Sequence, residues 1–238
     1  MSLKFADELA AAITRHAPLP AFETELSLEA SYRLQHEVTR VRTQGAVGGI
    51  KAGVTAPPMQ SFFKLDHALI GSLYADSRYG SGCRLPYVEG RNLECEVAIV
   101  VDGEGCPKAV APAIEIVFVR FGRPTDMSAA NLVACNLGAD AFIVGDFVPW
   151  DPAFNDARVE LSRADESLNE AAMREALGGP GRAATWMWEE AKLRGFECAD
   201  GTLFMGGACG AVVPADVGVY RADFGRLGAV DFEITSSV

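Results

Sequence analysis

Apolar positions along the chain switch between two periods, and the switches mark out an arm, a strand-rich body, a helical insert and a closing set of strands. Residues 3–15 and 27–42 carry the spacing of one helix face. The second segment opens on Ser27, a good N-cap, with Glu29 in its first turn and Leu34, Val38 and Val41 along one side. Pro18-Leu19-Pro20 separates the two helices. From Gly45 to about residue 125 the pattern shortens to strands and loops, punctuated at Gly48-Gly49, Pro57-Pro58, Gly80-Ser81-Gly82 and Gly122-Arg123-Pro124. Residues 140–148 read as a further buried strand. Helical patterns follow at about 165–177 and 182–194, divided by Gly178-Gly179-Pro180-Gly181 and closed by Gly195. Trp186, Met187, Trp188 and Leu193 in the second read as core or subunit contacts. Strands return at 202–205, 211–213, 218–222 and 229–234. The expectation is one α+β domain over 1–238, with a helical arm at 1–44 and a β-rich body at 45–238.

Composition narrows the function classes. With 238 residues and 49% hydrophobic content, the chain can bury a substantial core. Its 32 acidic against 21 basic residues, a formal charge of −11, argue against a nucleic-acid surface, and a small anionic substrate would need a local positive centre. Cysteines at 83, 95, 106, 135, 198 and 209 form no CxxC pair and read as reduced thiols of a cytoplasmic protein. Histidines at 16, 36 and 67, without an HExxH, give no histidine-based metal site. The first residues lack the apolar stretch of a signal peptide, and no run reaches the roughly 20 apolar residues that span a bilayer. A soluble protein without a membrane partner is expected.

The acidic chemistry lies in the body. Glu94 and Glu96 stand two apart in an alternating strand pattern, so they share a face while Leu93, Cys95, Val97 and Ile99 take the other. Alternating glutamates usually mark no more than a solvated face. Glu115 shifts the balance: it sits within Ala113-Ile114-Glu115-Ile116-Val117, a run apolar on both sides that reads as a buried strand. A glutamate there needs a partner, and Arg120, five residues on, points to the opposite face of a regular strand. Three clustered carboxylates repel unless a cation compensates them, and an oxygen-only donor set suits a hard divalent ion such as Mg²⁺ or Mn²⁺. Glu94, Glu96 and Glu115 are therefore read as a metal site.

Several segments, in order, resemble the 2-keto-4-pentenoate hydratase and 4-oxalocrotonate decarboxylase family of the fumarylacetoacetase-like superfold. They are Ala30-Ser31-Tyr32-Arg33-Leu34-Gln35, Gly49-Ile50-Lys51-Ala52-Gly53-Val54-Thr55, Gly71-Ser72-Leu73-Tyr74-Ala75-Asp76, Leu93-Glu94-Cys95-Glu96-Val97-Ala98, Ala113-Ile114-Glu115-Ile116-Val117, and Gly206-Gly207-Ala208 with the run from Gly218 to Ile234. The resemblance implies a mixed β-roll or barrel with a helical N-terminal arm, one Mg²⁺ or Mn²⁺ on Glu94, Glu96 and Glu115, a small 2-oxo acid as substrate, and homo-oligomers. It implies Lys51 as the electrostatic or proton-transfer partner, its pKa depressed by burial, where the motif-free reading is an exposed lysine at a strand end. Asp76 would orient Lys51 or a water, against a plain turn residue. The family's D-N-x-S segment stands here as Cys135-Asn136-Leu137-Gly138, leaving only Asn136 to line the reacting end. Gly103-Glu104-Gly105-Cys106-Pro107 replaces a longer insert, and Gly179-Pro180 an Asn-Pro. The implied activity is hydration of a 2-hydroxy-2,4-dienoate, as in aromatic meta-cleavage catabolism. Decarboxylation of a 4-oxalocrotonate-like diacid, with Arg78, Arg120 or Arg123 on its second carboxylate, is the alternative. A catalytically inactive relative that binds metal and 2-oxo acid is the reading from another class.

Overall fold

The computed structural model describes residues 3–236. The arm is α1 (Leu3–Thr14) and α2 (Leu28–Thr43), the latter capped by Ser27, whose side chain accepts from the Ala30 amide at 3.2 Å. The body then runs β1 (Val47–Gly53), α3 (Pro57–Phe63), β2 (Leu69–Tyr74), β3 (Arg78–Gly80), β4 (Cys83–Pro86), β5 (Asn92–Val101) and β6 (Pro107–Val117). After it come α4 (Ala129–Ala134), β7 (Ala139–Val144), β8 (Val148–Pro149), β9 (Arg158–Arg163), β10 (Glu166–Ala172), α5 (Pro180–Leu193), β11 (Leu203–Met205), β12 (Val213–Pro214), β13 (Gly218–Asp223) and β14 (Ala229–Thr235).

The strands form two sheets. One has nine strands along the path β2-β1-β11-β5-β6-β7-β3, with β12 added to β5 and β8 to β6; the other has five in the order β10-β9-β13-β14-β4. Between them lies the main core, where Cys95, Val97, Ile99, Ile114 and Ile116 of the larger sheet meet Leu161, Tyr220, Val230 and Phe232 of the smaller. The opposite face of the larger sheet does not turn to solvent. β2 and β7, near the two ends of its path, pack together, so the sheet curls into a roll around Leu73, Ala98, Ala111, Ala113, Phe142, Val144, Leu203 and Met205. The arm packs on the outside in a cluster of its own: Ala6, Leu9, Leu34 and Val38 lie with Ala134 and Cys135. Among the described residues, no helix is long and apolar enough to cross a membrane.

Three segments depart from the sequence expectation. Residues 165–177 are not a helix; β9 and β10 form an antiparallel hairpin turned at Ala164 (φ +49), with Asn169 and Ala171 buried in alternation. Asn169 decides this locally, because its side chain bonds the Cys209 carbonyl and the Ala211 amide, contacts that a helix would withdraw. Pro57-Pro58 starts a helix rather than a loop, prolines being well placed where no amide donor is needed. α4, capped by the Ser128 side chain on the Asn131 amide, falls in a stretch where no element was expected.

Candidate metal centre

Strand pairing builds the site from residues distant in sequence. β5 and β6 are antiparallel with Glu94 directly opposite Glu115, and Glu96 opposite Ala113. All three carboxylates continue the interior face of the roll on which Ala98, Ala111 and Ala113 lie. Their oxygens stand within 4.8 Å of one another. Glu96 and Glu115 are fully buried, while Glu94, at the start of β5, keeps some exposure.

Lys51 enters from β1, whose register sets it opposite Gly71 of β2 and Met205 of β11. It is 2% exposed, its ammonium lies 2.6 Å from Glu115 Oε1, and Nζ donates to the Leu137 carbonyl at 3.3 Å. The expectation of an exposed strand-end lysine is thus excluded, and the expected depression of its pKa is opposed by the carboxylates beside it. Burial pulls the Lys51 ammonium down, but the charges of Glu115, Glu94 and Glu96 outweigh it and the net shift is upward.

The carboxylates respond in the complementary sense. Burial pushes Glu94 up to about 7 against the pull of Lys51. Glu96 is driven well above the usual range by burial and by the charges of Glu115 and Glu94, with the Gly207 amide drawing it partly back. Glu115 is raised by burial, with Lys51 pulling it down. The Gly207 amide donates to Glu96 Oε2 at 2.9 Å; its φ is +94, and a Cβ there would stand 2.5 Å from Thr55 Cγ2, so only glycine brings this donor in. Glu96 Oε1 and both oxygens of Glu115 have no hydrogen-bond donor, the Lys51 contact to Glu115 being close in distance but not aligned as a hydrogen bond. Buried acceptors without donors are rare in folded proteins. With all four groups ionised, three carboxylates and one ammonium leave a local charge of −3 + 1 = −2. That charge and the oxygen-only donor set match one hard dication.

Two other expected site residues lie elsewhere. Asp76 is exposed and paired with Arg42 at 2.7 Å and with the Ser77 hydroxyl at 3.2 Å, so it does not orient Lys51; a turn after β2 carries it outward. Asn136 is buried, but its amide does not face the carboxylates: Oδ1 accepts from the Ser72 amide at 2.7 Å and Nδ2 donates to the Ser72 carbonyl at 2.8 Å. Cys135 packs in the arm cluster, its Sγ on the Leu132 carbonyl at 3.3 Å, and burial pushes its thiol up to about 12. Gly138 is fixed by backbone: its φ is +69 and a Cβ would meet the Phe118 carbonyl at 3.1 Å.

Sequence reasoning missed the groups that act through main-chain atoms. The Gly207 amide and the Leu137 carbonyl carry no side-chain signature, although Gly206-Gly207 was visible as a motif. It gave no role to Tyr32 and Gln35, although both stand in a motif, and these staple α2 to the roll: the Tyr32 hydroxyl accepts from the Ile70 amide, and Gln35 Nε2 donates to the Ile70 and Val133 carbonyls.

No family profile matches the chain. It is similar to the 2-keto-4-pentenoate hydratase of Burkholderia vietnamiensis, 28% identical over 202 aligned residues covering 77% of this chain and 76% of that protein. It is also similar to 2-keto-4-pentenoate hydratase 2 of Dechloromonas aromatica, 25% identical over 239 residues, 90% of this chain and 91% of that one. In structure it superposes on the 4-oxalocrotonate decarboxylase of Pseudomonas putida G7, solved with magnesium and adipate, at a TM-score of 0.89 and 20% identity, covering 98% of this chain and 96% of that one.

Proposed function

We propose that the chain is a divergent member of the family of 2-keto-4-pentenoate hydratases and 4-oxalocrotonate decarboxylases, and a divalent-metal-dependent lyase hydrating a 2-hydroxy-2,4-dienoate to a 4-hydroxy-2-oxo acid. The observation that carries the reading is the buried trio of carboxylates with orphaned oxygens and a single ammonium beside it. Glu94, Glu96 and Glu115 would hold the ion, Mg²⁺ or Mn²⁺, which when bound supplies Lewis-acid stabilisation of the negative charge that develops on a 2-oxo acid. The Gly207 amide occupies Glu96 Oε2 and leaves Oε1 without a donor, so Oε1 would be the oxygen free to serve the ion. Lys51 holds its proton at Nζ between Glu115 and the Leu137 carbonyl, a fixed positive charge in a site closed to bulk water, where such charges act most strongly.

Charge separates this reading from decarboxylation. A diacid needs a cation for its second carboxylate. Arg123 is occupied by Asp126, Glu23 and the Phe22 carbonyl, Arg78 and Arg120 are exposed, and Lys51 is the cation that pulls the three carboxyls down. A substrate with one carboxylate fits that supply.

The decisive experiment incubates the purified protein, loaded with Mg²⁺ or Mn²⁺, with 2-hydroxypenta-2,4-dienoate and separately with 4-oxalocrotonate. Loss of dienol absorbance with uptake of water is the expected result. CO₂ release from the diacid would transfer the assignment to the decarboxylase, and tight binding without turnover to the inactive relative. Assembly into homo-oligomers is part of the same proposal, with the exposed Leu193, Val212 and Val219 as apolar surface to be covered, and light scattering as its check.

A further inference from the structure

Three consecutive residues, Asn136 (φ +58), Leu137 (φ +52) and Gly138 (φ +69), lie in the left-handed region. Glycine adopts it freely and asparagine tolerates it, but for leucine it is strained. Strain of this kind persists only where the surroundings impose it. Here two devices do so. The Asn136 side chain grips both the amide and the carbonyl of Ser72, fastening the turn to β2. Beneath it the sheet is bare of side chains: a Cβ on Gly71 would stand 2.9 Å from Asn136 Oδ1, and one on Gly53 3.0 Å from Leu137 Cδ1. Gly71 is the register partner of Lys51, and Gly53 lies two residues along the same face, so the turn sits directly over the lysine's own ladder. Its free product is the Leu137 carbonyl, which accepts from Lys51 Nζ at 3.3 Å.

We propose that the left-handed Asn136-Leu137-Gly138 turn, clamped by Asn136 onto Ser72 and seated on Gly71 and Gly53, is the device that aims the Lys51 ammonium. Asn136 and Gly71 are then positioning residues, acting through Lys51 and touching no substrate. Without the carbonyl, the ammonium has only the carboxylates to follow, and it would settle among the oxygens that the cation requires. The turn holds it to one side. The catalytic consequence rests on the proposed lyase reading; the clamp itself does not.

The test reads both separately. In protein labelled with ¹⁵N-lysine, the Nζ resonance of Lys51, the buried lysine among the described residues, is assigned by its loss in Lys51→Arg and recorded without substrate. Asn136→Ala is expected to shift or broaden that resonance, and Gly71→Ala, which pushes on the clamp from below while keeping Asn136, to do the same if the first variant folds poorly. Both are expected to bind one Mn²⁺ per subunit, and to lose tenfold or more in kcat with KM within about twofold. An unmoved Nζ resonance in a folded variant of either kind overturns the proposal, as does a moved resonance with kcat unchanged. Wild-type protein without hydratase turnover would defeat the functional reading alone, since the resonance still reports on the clamp.

Discussion

Two ionic clusters, one half-buried and one buried, sit in this molecule, and they are built on opposite rules. At the junction of arm and roll, Asp140 receives the His16 ring at 2.8 Å and Arg91 Nε at 2.6 Å, while Arg91 Nη1 donates to the Pro86 carbonyl. Every oxygen there has a donor. In the roll, Glu96 and Glu115 keep oxygens with none, and two negative charges remain uncompensated. A satisfied network fastens parts together; an unsatisfied one is held in place by the fold around it and awaits a ligand. The contrast marks the acidic trio, and not the half-buried Asp140 cluster, as the one left without full compensation.

The comparison can be broken at several points. The largest expected effect is on turnover: Lys51→Met should lower kcat about 10²- to 10³-fold, the range for removing one preorganised electrostatic donor, with Mn²⁺ binding retained. Next, Asp140→Asn strands the Arg91 guanidinium and should cost about 3–5 kcal/mol in chemical denaturation, leaving the metal affinity of the folded protein unchanged. Glu94→Gln and Glu96→Gln should do the reverse. Each should weaken Mn²⁺ binding about a hundredfold by calorimetry, while in chelator-treated protein Glu96→Gln melts higher than wild type because a repulsive charge is gone. A metal-free Glu96→Gln that melts lower would mean the trio is a stabilising network after all.

The smallest effect is a pH dependence of opposite sign in the two clusters. Burial raises the Asp140 carboxyl, but the His16 bond and Arg91 more than reverse this, and it lies below its ordinary 3.8. Its stabilising contribution is full above that value and is lost as pH falls through the lower folded one. Glu94 lies at about 7 against an ordinary 4.5, so its contribution is full below 4.5 and is lost as pH rises to about 7. Metal-free protein should therefore melt highest on the acid side of neutrality. Saturation with Mn²⁺, which requires ionised carboxylates, should abolish the loss toward neutral pH.

The acidic site was legible in the sequence because a strand's period of two is rigid: Glu94 and Glu96 had to share a face, and the apolar flanks of Glu115 required it to be buried. The arm helices were legible through their apolar spacing, and the second also through its Ser27 cap. The hairpin at 158–172 was not, because its Glu, Ala and Leu residues favour a helix locally, and only the distant partners of Asn169 make it a strand. Asp76 and Asn136 were misplaced for a similar reason. A motif gives the order of residues along the chain, whereas the direction of a side chain at a turn depends on which neighbour, Arg42 or Ser72, reaches it.

The path of the larger sheet also governs when this centre can come into being. β11 lies between β1 and β5, so the strand bearing Lys51 joins the strand bearing Glu94 and Glu96 only through residues 203–205. While the chain is being made, the lysine and the glutamates belong to unconnected pieces until this late segment emerges and zips them together. Long-range closure of this kind comes late in folding. The three glutamates, on the directly paired strands β5 and β6, can gather before that closure, and the lysine's charge joins them only when β11 completes the sheet.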